Sequence, residues 1–434
     1  MPPLNILYIH AHDAGRLIAP YGHKMPTPNL TRLASEGMLF RRAFCCGPTC
    51  SPSRAAMLTG QSPHATGMLG LAHRGFALND YGRHLVNTLK PAGYTTMLSG
   101  VQHVVTWDEV DRIGYDEILT RKIGGAEAAE AAEQRIAAGL DEPFFMSVGC
   151  SEPHRPFPEP PLAEEVARFA RAPAPLPDTP ETRRDTGGFA MKVERFDAMV
   201  GRVLDALDAA GLAERTLVVC TTDHGPAFPG MKCTMSDWGL GVLLMMRGPG
   251  VPVGQSTDAL VSHLDVFPTV CDWLGIDRPD WLEGHSLAPI LRGEAEDVRD
   301  AIFGEVTYHA AYEPQRCVRT DRWTYVRRYG EKATRVLPNC DDGLSKTVLL
   351  DAGWADRELP REALYDMLFD PTESHNVIDD PALADTVAAL RQRLDTWMTD
   401  TNDPLLNGPV PPPAGAKIND PDGLSPKEPP REVP

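Results

Sequence analysis

The sequence predicts an α/β fold: a mostly parallel central sheet flanked by helices, followed by a smaller C-terminal subdomain of antiparallel strands and a helix. Three observations predict it. Short apolar runs alternate with amphipathic segments over the first two thirds of the chain, the pattern of parallel strands joined by helical crossovers. Four of those runs end in polar segments rich in histidine and aspartate, and ligands of such sheets gather beyond the carboxyl ends of the strands. From Ala301 the pattern changes to short strands in succession, as in a meander.

The first strand is Asn5-Ile6-Leu7-Tyr8-Ile9, which ends in His10-Ala11-His12-Asp13. Next comes a helix opened by Cys50-Ser51-Pro52-Ser53-Arg54. Pro52 has the φ of a first helical turn, Ser51 can cap it, Ala55 to Leu58 propagate it and Gly60 supplies the stop. Cys50 therefore sits at a helix N-terminus, where free amides and the positive end of the dipole favour an anion. Three more strands follow. Thr95-Thr96-Met97-Leu98 ends in Ser99-Gly100-Val101-Gln102-His103, and Phe144-Phe145-Met146-Ser147-Val148 leads to Glu152-Pro153-His154-Arg155. Thr216-Leu217-Val218-Val219-Cys220 ends in Thr221-Thr222-Asp223-His224-Gly225.

These four ends share one sheet edge with Cys50. Asp13, Asp223 and His224 form an oxygen-rich candidate site for a divalent cation, with His12 as a further ligand. Carboxylates suit calcium, magnesium or manganese, and imidazole moves the preference toward manganese or zinc. His10 lies one strand period before His12 and reads as a packed strand residue.

Pro156 to Arg184 is dense in proline, including Pro160 and Pro161, and reads as an ordered surface loop over the cleft, with helical sequence resuming at Phe189. Met191 to Ala210 carries Val193, Phe196, Val200, Val203, Leu204 and Leu207 at helical spacing, a core-facing helix. The later strands are Ala301 to Glu305, Arg316 to Arg319 and Arg322 to Val326, with a helix at Leu383 to Trp397. Asn407 to Pro434 is rich in proline and glycine and is expected to form no helix or strand, lying as an arm on its own domain or on a partner subunit. The division expected is 1–305 for the catalytic domain, 306–406 for the antiparallel-sheet subdomain and 407–434 for the tail.

With 42 Lys and Arg against 60 Asp and Glu, the 434-residue chain carries a net charge of −18. That excludes a nucleic-acid backbone as a general partner, and an anionic ligand needs a locally basic cleft. The nine cysteines are odd in number and lack C-x-x-C spacing, which argues against a disulfide framework or a structural zinc site. The N-terminus runs straight into a strand and no segment has transmembrane character, so the expectation is a cytoplasmic protein without a membrane partner.

The C-x-P-S-R pattern at Cys50 to Arg54, with a helix that stops at Gly60, resembles the type I sulfatases of the alkaline phosphatase superfamily. The resemblance extends through Asn5 to Gly15, Pro28-Asn29-Leu30-Thr31-Arg32-Leu33-Ala34, Asp223-His224-Gly225, Gly284 to Leu291 and Leu364-Tyr365-Asp366-Met367. Within that family the chain is most similar to the sulfamidases, through Gly67-Met68-Leu69-Gly70-Leu71, Phe228-Pro229-Gly230-Met231-Lys232 and the stretch from Asp380 to Pro426.

The resemblance implies an alkaline phosphatase-like fold and hydrolysis of a sulfate monoester or sulfamate, of an N- or O-sulfated sugar or an aryl sulfate. Cys50 would be oxidised to formylglycine by a formylglycine-generating enzyme, and the hydrated aldehyde would be both nucleophile and metal ligand. One divalent ion is implied, calcium, manganese or magnesium, with zinc ranked behind them. Arg54 would pair with formylglycine and metal, and Lys232 would hold the sulfate group. His103 and His154 would flank the scissile bond, with His154 protonating the leaving group. Tyr308, His309 and Arg316 would approach substrate.

Two positions depart from the family pattern. The family commonly has aspartate where His12 stands, and lysine where Val101 stands, so either the pocket accepts a different substrate or Lys232, Arg155 or Arg316 supplies the missing charge. Two competing functions follow: a phosphonate monoester or phosphodiester hydrolase using the same formylglycine, and a catalytically silent binding protein of the same fold. The expected partners are a small sulfated substrate, the maturation enzyme and, for the arm, a second subunit of a homo-oligomer.

Overall fold

The computed structural model describes residues 4–158 and 162–434; Pro160 and Pro161 of the proline-rich stretch lie outside the described residues. Eight strands make the central sheet: β1 (Asn5–Ala11), β2 (Met38–Phe44), β3 (Thr95–Gly100), β4 (Glu117–Thr120), β5 (Phe144–Gly149), β6 (Thr216–Thr222), β7 (Leu244–Arg247) and β8 (Gln255–Ser262). Their spatial order is β4-β3-β5-β1-β6-β7-β2-β8. All neighbours pair in parallel except at β7, which runs antiparallel to β6 and β2. The four strands read from the sequence are contiguous in this order, as β3-β5-β1-β6.

Strand β1 shows why the sheet needs cover on both faces. Ile6 and Tyr8 enter one apolar cluster, with Phe40, Phe145 and Phe267, and Leu7 and Ile9 enter the other, with Phe144, Phe189 and Phe196. Each such side chain, taken fully out of water, contributes about 1.5–3 kcal/mol, which makes these two layers the main support of the site above them.

The long helix Pro180–Ala209 lies on the second face. It starts nine residues before the Phe189 expected from sequence. The cause is its cap: Thr179 Oγ1 accepts from the Thr182 N–H at 3.3 Å, and Thr182 Oγ1 accepts from the Thr179 N–H at 2.9 Å, with Pro180 at the first helical position. Proline density, read as loop, here marks a helix start, and a further short helix spans Leu162–Ala167.

The smaller sheet is antiparallel, β12-β11-β10-β9, built from β9 (Ile302–Tyr308), β10 (Tyr312–Arg319), β11 (Trp323–Arg328) and β12 (Glu362–Asp366). The helix Ala384–Asp400 packs Leu390, Leu394 and Met398 against Val318, Tyr325 and Leu364. The tail differs from expectation. It forms a ribbon, β13 (Lys417–Ile418) against β14 (Arg431–Glu432), because its prolines and glycines occupy the turns and leave these two short stretches free to pair. As an arm it lies on its own chain: the Arg74 guanidinium donates to Lys417 O at 3.1 Å and Asn419 Oδ1 at 2.7 Å, and Lys346 Nζ donates to Leu424 O at 2.7 Å.

Candidate active site

The carboxyl ends of β1 and β6 deliver Asp13 and Asp223 side by side. The Asp13 N–H donates to Asp223 Oδ1 at 2.8 Å, so the backbone of one acid fixes the carboxylate of the other. Asp13 has φ +55 and His103 φ +60, a left-handed conformation that costs a non-glycine residue of order 1–3 kcal/mol and persists where surrounding contacts over-determine it. Gly225 follows His224 because a Cβ there would stand 1.7 Å from the Trp238 carbonyl oxygen.

Cys50 opens the Cys50–Thr59 helix, which Gly60 ends at φ +69 with its N–H donating to Ala56 O. Thr49, outside the expected reading, is the N-cap residue. Ser51 does not cap: it lies inside the first turn, where its hydroxyl accepts from the Ala72 N–H at 3.0 Å. The Ser53 hydroxyl donates to the Asp223 carbonyl, locking the helix to the end of β6.

Ligand atoms of His12, Asp13, Cys50, Asp223 and His224 all lie within 4.8 Å of one another, and all five residues are buried. His224 Nδ1 faces the Gly225 carbonyl at 2.9 Å. A carbonyl only accepts, so the proton sits on Nδ1 and Nε2 turns its lone pair to the cluster, 3.2 Å from Asp13 Oδ1 and 3.4 Å from Cys50 Sγ. His12 Nδ1 lies 2.7 Å from Asp13 Oδ1 and 3.3 Å from Asp223 Oδ2. Burial outweighs those two carboxylates and pushes the imidazole down to about 4, so His12 is neutral and able to ligate. Two carboxylates, two imidazoles and a buried oxidisable position fit a divalent cation.

Positive charge surrounds the acids. Arg54 donates to His10 Nδ1 at 2.6 Å, to Ala11 O at 2.8 Å and to Asp223 Oδ2 at 3.0 Å. Because arginine only donates, His10 Nδ1 is bare and its Nε2–H bonds Ser147 Oγ at 3.2 Å; His10 is a packed strand residue that orients Arg54. Lys232 Nζ stands 3.0 Å from Asp13 Oδ2 and 3.1 Å from Asp341 Oδ2. Against burial, Lys232 and the facing imidazoles hold Asp13 well below the usual carboxylate range. Burial pushes the Cys50 thiol well above its ordinary value despite Lys232, so an unmodified Cys50 is a neutral thiol.

His154 Nδ1 faces the Arg155 carbonyl at 2.6 Å, which leaves Nε2 directed at the cluster, 3.8 Å from Asp13 Oδ2. Its ring meets His12 edge-on at 4.6 Å, and the His103 ring is 5.5 Å from His12. Burial holds His103 well below its ordinary value. His309 is buried near Lys232, and burial and that ammonium together keep it neutral. Its Nδ1 has no hydrogen-bond partner among the described residues.

Three expectations are corrected. Arg316 is wholly buried away from the cluster, ion-paired with Asp403 and, at 3.1 Å, with Glu305. Tyr308 packs between Phe76 and Tyr312 and its hydroxyl donates to Val410 O at 2.6 Å. Neither side chain is available to a substrate, because both faces of the small sheet are covered and β9 and β10 are buried along most of their length. Arg155 does not replace the charge absent at Val101, because both its terminal nitrogens bond Asp185, at 2.8 and 2.7 Å.

Two residues escaped the sequence reading. Asp341 closes the cluster behind Lys232; its acidic pair with Asp342 was visible, but no spacing tied it to the other ends. His73 stacks on His103 with ring centroids 5.4 Å apart and Nδ1 3.2 Å from Nε2. Its position just past Gly67 to Leu71 was the available signal.

The sulfatase family profile matches residues 5–276, and the profile of the C-terminal part of N-sulphoglucosamine sulphohydrolase matches residues 231–340. The chain is 30% identical to human N-sulphoglucosamine sulphohydrolase, covering 94% of this chain and 92% of that protein. It is 27% identical to an ulvan-active sulfatase of Formosa agariphila, over 92% of this chain and 81% of the relative. Among solved structures it superposes on a 2-O GAG sulfatase with TM-score 0.72 at 22% identity, over 93% of this chain and 94% of the other. A structure in complex with its substrate D-glucosamine-2-N,6-O-disulfate gives TM-score 0.71 at 19% identity, over 94% and 99%.

Proposed function

The chain belongs to the sulfatase family, and we propose that within it the enzyme hydrolyses the sulfamate or a sulfate ester of an amino sugar. The observation that carries the reading is the convergence of Cys50 with Asp13, Asp223, His224 and Lys232 at one buried point. The amino-sugar choice is supported by the likeness to N-sulphoglucosamine sulphohydrolase along nearly the whole chain.

Asp13, Asp223, His12 and His224 would hold one calcium, manganese or magnesium ion. Bound there, the cation would supply positive charge to the nucleophilic oxygen and the sulfuryl oxygens. Oxidised to formylglycine and hydrated, Cys50 offers two hydroxyls on one carbon, one to attack sulfur and one to expel sulfate, which a thiol cannot do. Lys232 neutralises the sulfuryl oxygens, and a cation held by Asp13 would leave its ammonium free to do so. Arg54, fixed from below by His10 and Ala11 O, keeps Asp223 ionised. His154 protonates the departing nitrogen or oxygen from Nε2, its Nδ1–H anchored on the Arg155 carbonyl. His103 and His309 line the approach as neutral imidazoles.

The test is turnover by protein made alongside a formylglycine-generating enzyme and loaded with each cation in turn, with N-sulfoglucosamine, an aryl sulfate and a phosphonate monoester as substrates. The expected result is that N-sulfoglucosamine or another sulfated amino sugar is the best substrate. A dominant phosphonate rate overturns the sulfated-sugar reading, and no turnover by fully modified, metal-loaded protein assigns a binding role instead.

A further inference from the structure

Buried arginines of this chain are paired with acids: Arg316 with Glu305 and Asp403, Arg319 with Asp237 and Glu373, and Arg155 with Asp185. Three arginines elsewhere share a cavity, and of these only Arg328 has an acid within 4.0 Å among the described residues, Glu313. Arg328 at the end of β11, Arg335 in the loop after it and the exposed Arg357 line a space of about 450 Å³ between the small sheet and the loop from Pro229 to Ser236. Trp354 and Tyr365 supply its aromatic wall.

Among the described residues no carboxylate lies within 4.0 Å of Arg335 or Arg357, and Arg328 has only Glu313, at 3.5 Å. Hydrogen bonds are equally sparse. The Arg335 guanidinium makes two long ones, to the Trp354 and Arg357 carbonyls at 3.4 and 3.3 Å, and that of Arg328 makes none to described residues. Guanidinium groups are planar forks of donors that a tetrahedral oxyanion or a carboxylate satisfies two at a time. Here those forks line one cavity, Arg328 and Arg335 partly buried and Arg357 at its exposed mouth.

The nearby acids do not fill the role. Glu373 also lines the cavity, but its carboxylate is held by the Asp237 N–H at 2.6 Å and by Arg319 at 3.4 Å, and burial pushes it up to about 7. Glu313 accepts from Asn339 Nδ2 at 2.9 Å and is likewise raised by burial. Burial, together with the charges of Arg328 and Arg357, lowers the Arg335 guanidinium from its ordinary value and outweighs the opposing charge of Glu313.

We propose that Arg328, Arg335 and Arg357 form a second anion site, separate from the cluster at Cys50, that takes a sulfo group, either as free sulfate or on a saccharide ring lying against Trp354. The volume suits a sulfated monosaccharide, since small-ligand pockets begin at about 300 Å³. A smaller cavity of about 190 Å³ shares Arg328, Arg335 and Trp354 with it and is also lined by Lys232 and Cys340. The second site therefore borders the loop that carries Lys232.

The test is calorimetric titration of sodium sulfate, at ionic strength held constant with sodium chloride, into the full chain and into the double variant Arg328→Gln/Arg335→Gln. The expected result is that the wild-type chain binds one sulfate equivalent that the double variant loses, while its melting temperature without sulfate is unchanged. Should the double variant unfold, Arg357→Gln, at the exposed mouth, keeps the test decisive: it weakens the same equivalent about tenfold, as loss of one charged hydrogen bond does. A stoichiometry and affinity unchanged in the folded variants, or no sulfate binding by the wild-type chain, overturns the proposal. A sulfated hexosamine disaccharide titrated in a Cys50→Ala background separates the two sources: arginine-dependent binding about tenfold tighter than that of sulfate assigns the site to the saccharide, and equal affinity assigns it to the free anion.

Discussion

Lys232 Nζ lies 3.0 Å from Asp13 Oδ2, with both side chains buried. The residue expected to hold the sulfate group thus already neutralises one of the acids expected to hold the cation. A cation at this cluster would compete with the Lys232 ammonium for the Asp13 carboxylate, and so would leave that ammonium free for sulfate. Replacing Lys232 by Ala is expected to lower kcat about 10²- to 10³-fold, the cost of losing one preorganised charge donor. Steady-state kinetics with N-sulfoglucosamine reads this directly, and a change confined to KM would move Lys232 out of the transition state.

Cys50→Ser is expected to fold and to show no turnover. Cys50 is 2% exposed and its thiol is neutral, so an isosteric hydroxyl costs little in packing, whereas a single hydroxyl cannot both attack sulfur and release it. Melting temperature and rate measured on the same preparation separate the two effects; turnover comparable to wild type would dismiss the formylglycine assignment.

Removing the cation should lower stability. Ions that bind only the folded state contribute about 4 kcal/mol at a thousandfold excess over Kd. Lys232 and Arg54 partly compensate Asp13 and Asp223 in its absence, so the loss on chelation is expected to be smaller than that. Thermal melts before and after EDTA, and after adding back calcium, manganese or magnesium, test it. Asp223→Asn should show no response to any of them.

Stability should also fall on the alkaline side through His64. Its Nδ1 is 3.0 Å from Glu305 Oε1 and 3.9 Å from Asp403 Oδ2, with Arg316 on the far side of both acids and Glu283 reached through Ser62. Burial opposes the charge, but Glu305 outweighs it and His64 is raised. A raised base contributes stability in full below its unfolded pKa of about 6.5, and loses it as pH rises through the higher folded value. Glu305 is lowered, burial notwithstanding, so its share is present above about pH 4.3 and lost as pH falls. Urea midpoints from pH 5.5 to 9 should therefore decline toward the alkaline end, and His64→Gln should flatten that decline; an unchanged slope would exclude His64 as its source.

Arg155 tests the wall of the cleft. Its guanidinium bonds both oxygens of Asp185 and lies 4.0 Å over the Phe157 ring, and Asp185 also accepts from the Ser345 N–H at 3.1 Å. Asp185→Ala leaves a buried guanidinium unpaired, so a loss of about 3–5 kcal/mol is expected, measured by denaturant titration. A loss below 1 kcal/mol would show that water replaces the carboxylate, since exposed pairs are worth about that little.

The central architecture was legible because periodicity and strand ends carry it. Asn5 to Ile9, Thr95 to Leu98, Phe144 to Val148 and Thr216 to Cys220 became adjacent strands, and Asp13, Cys50, Asp223 and His224 met where those strands stop. What stayed hidden was set by contacts remote in sequence. Asp341 comes to Lys232 from a loop whose local pattern is that of any acidic turn. Arg316 and Tyr308 look like binding residues until the small sheet is covered on both faces, where Glu305, Asp403 and Val410 satisfy them. The start of the Pro180–Ala209 helix was obscured for a local reason: prolines that open a helix and prolines that forbid one read alike until a capping threonine is recognised.

The C-terminal arm places the last stretch of the chain against one of the first. Arg74, next to His73 at the rim, reaches carbonyl and amide partners at Lys417 and Asn419, and Lys346, close to Asp341, reaches Leu424. Contacts that span more than three hundred residues close late in folding, since the intervening chain must be ordered first. During synthesis the helix that Cys50 opens emerges just after β1 and β2, long before the arm that meets Arg74. In the interval between those two events Arg74 lacks the partners it finds at Lys417 and Asn419, so the rim beside His73 is the part of the site that is fixed last.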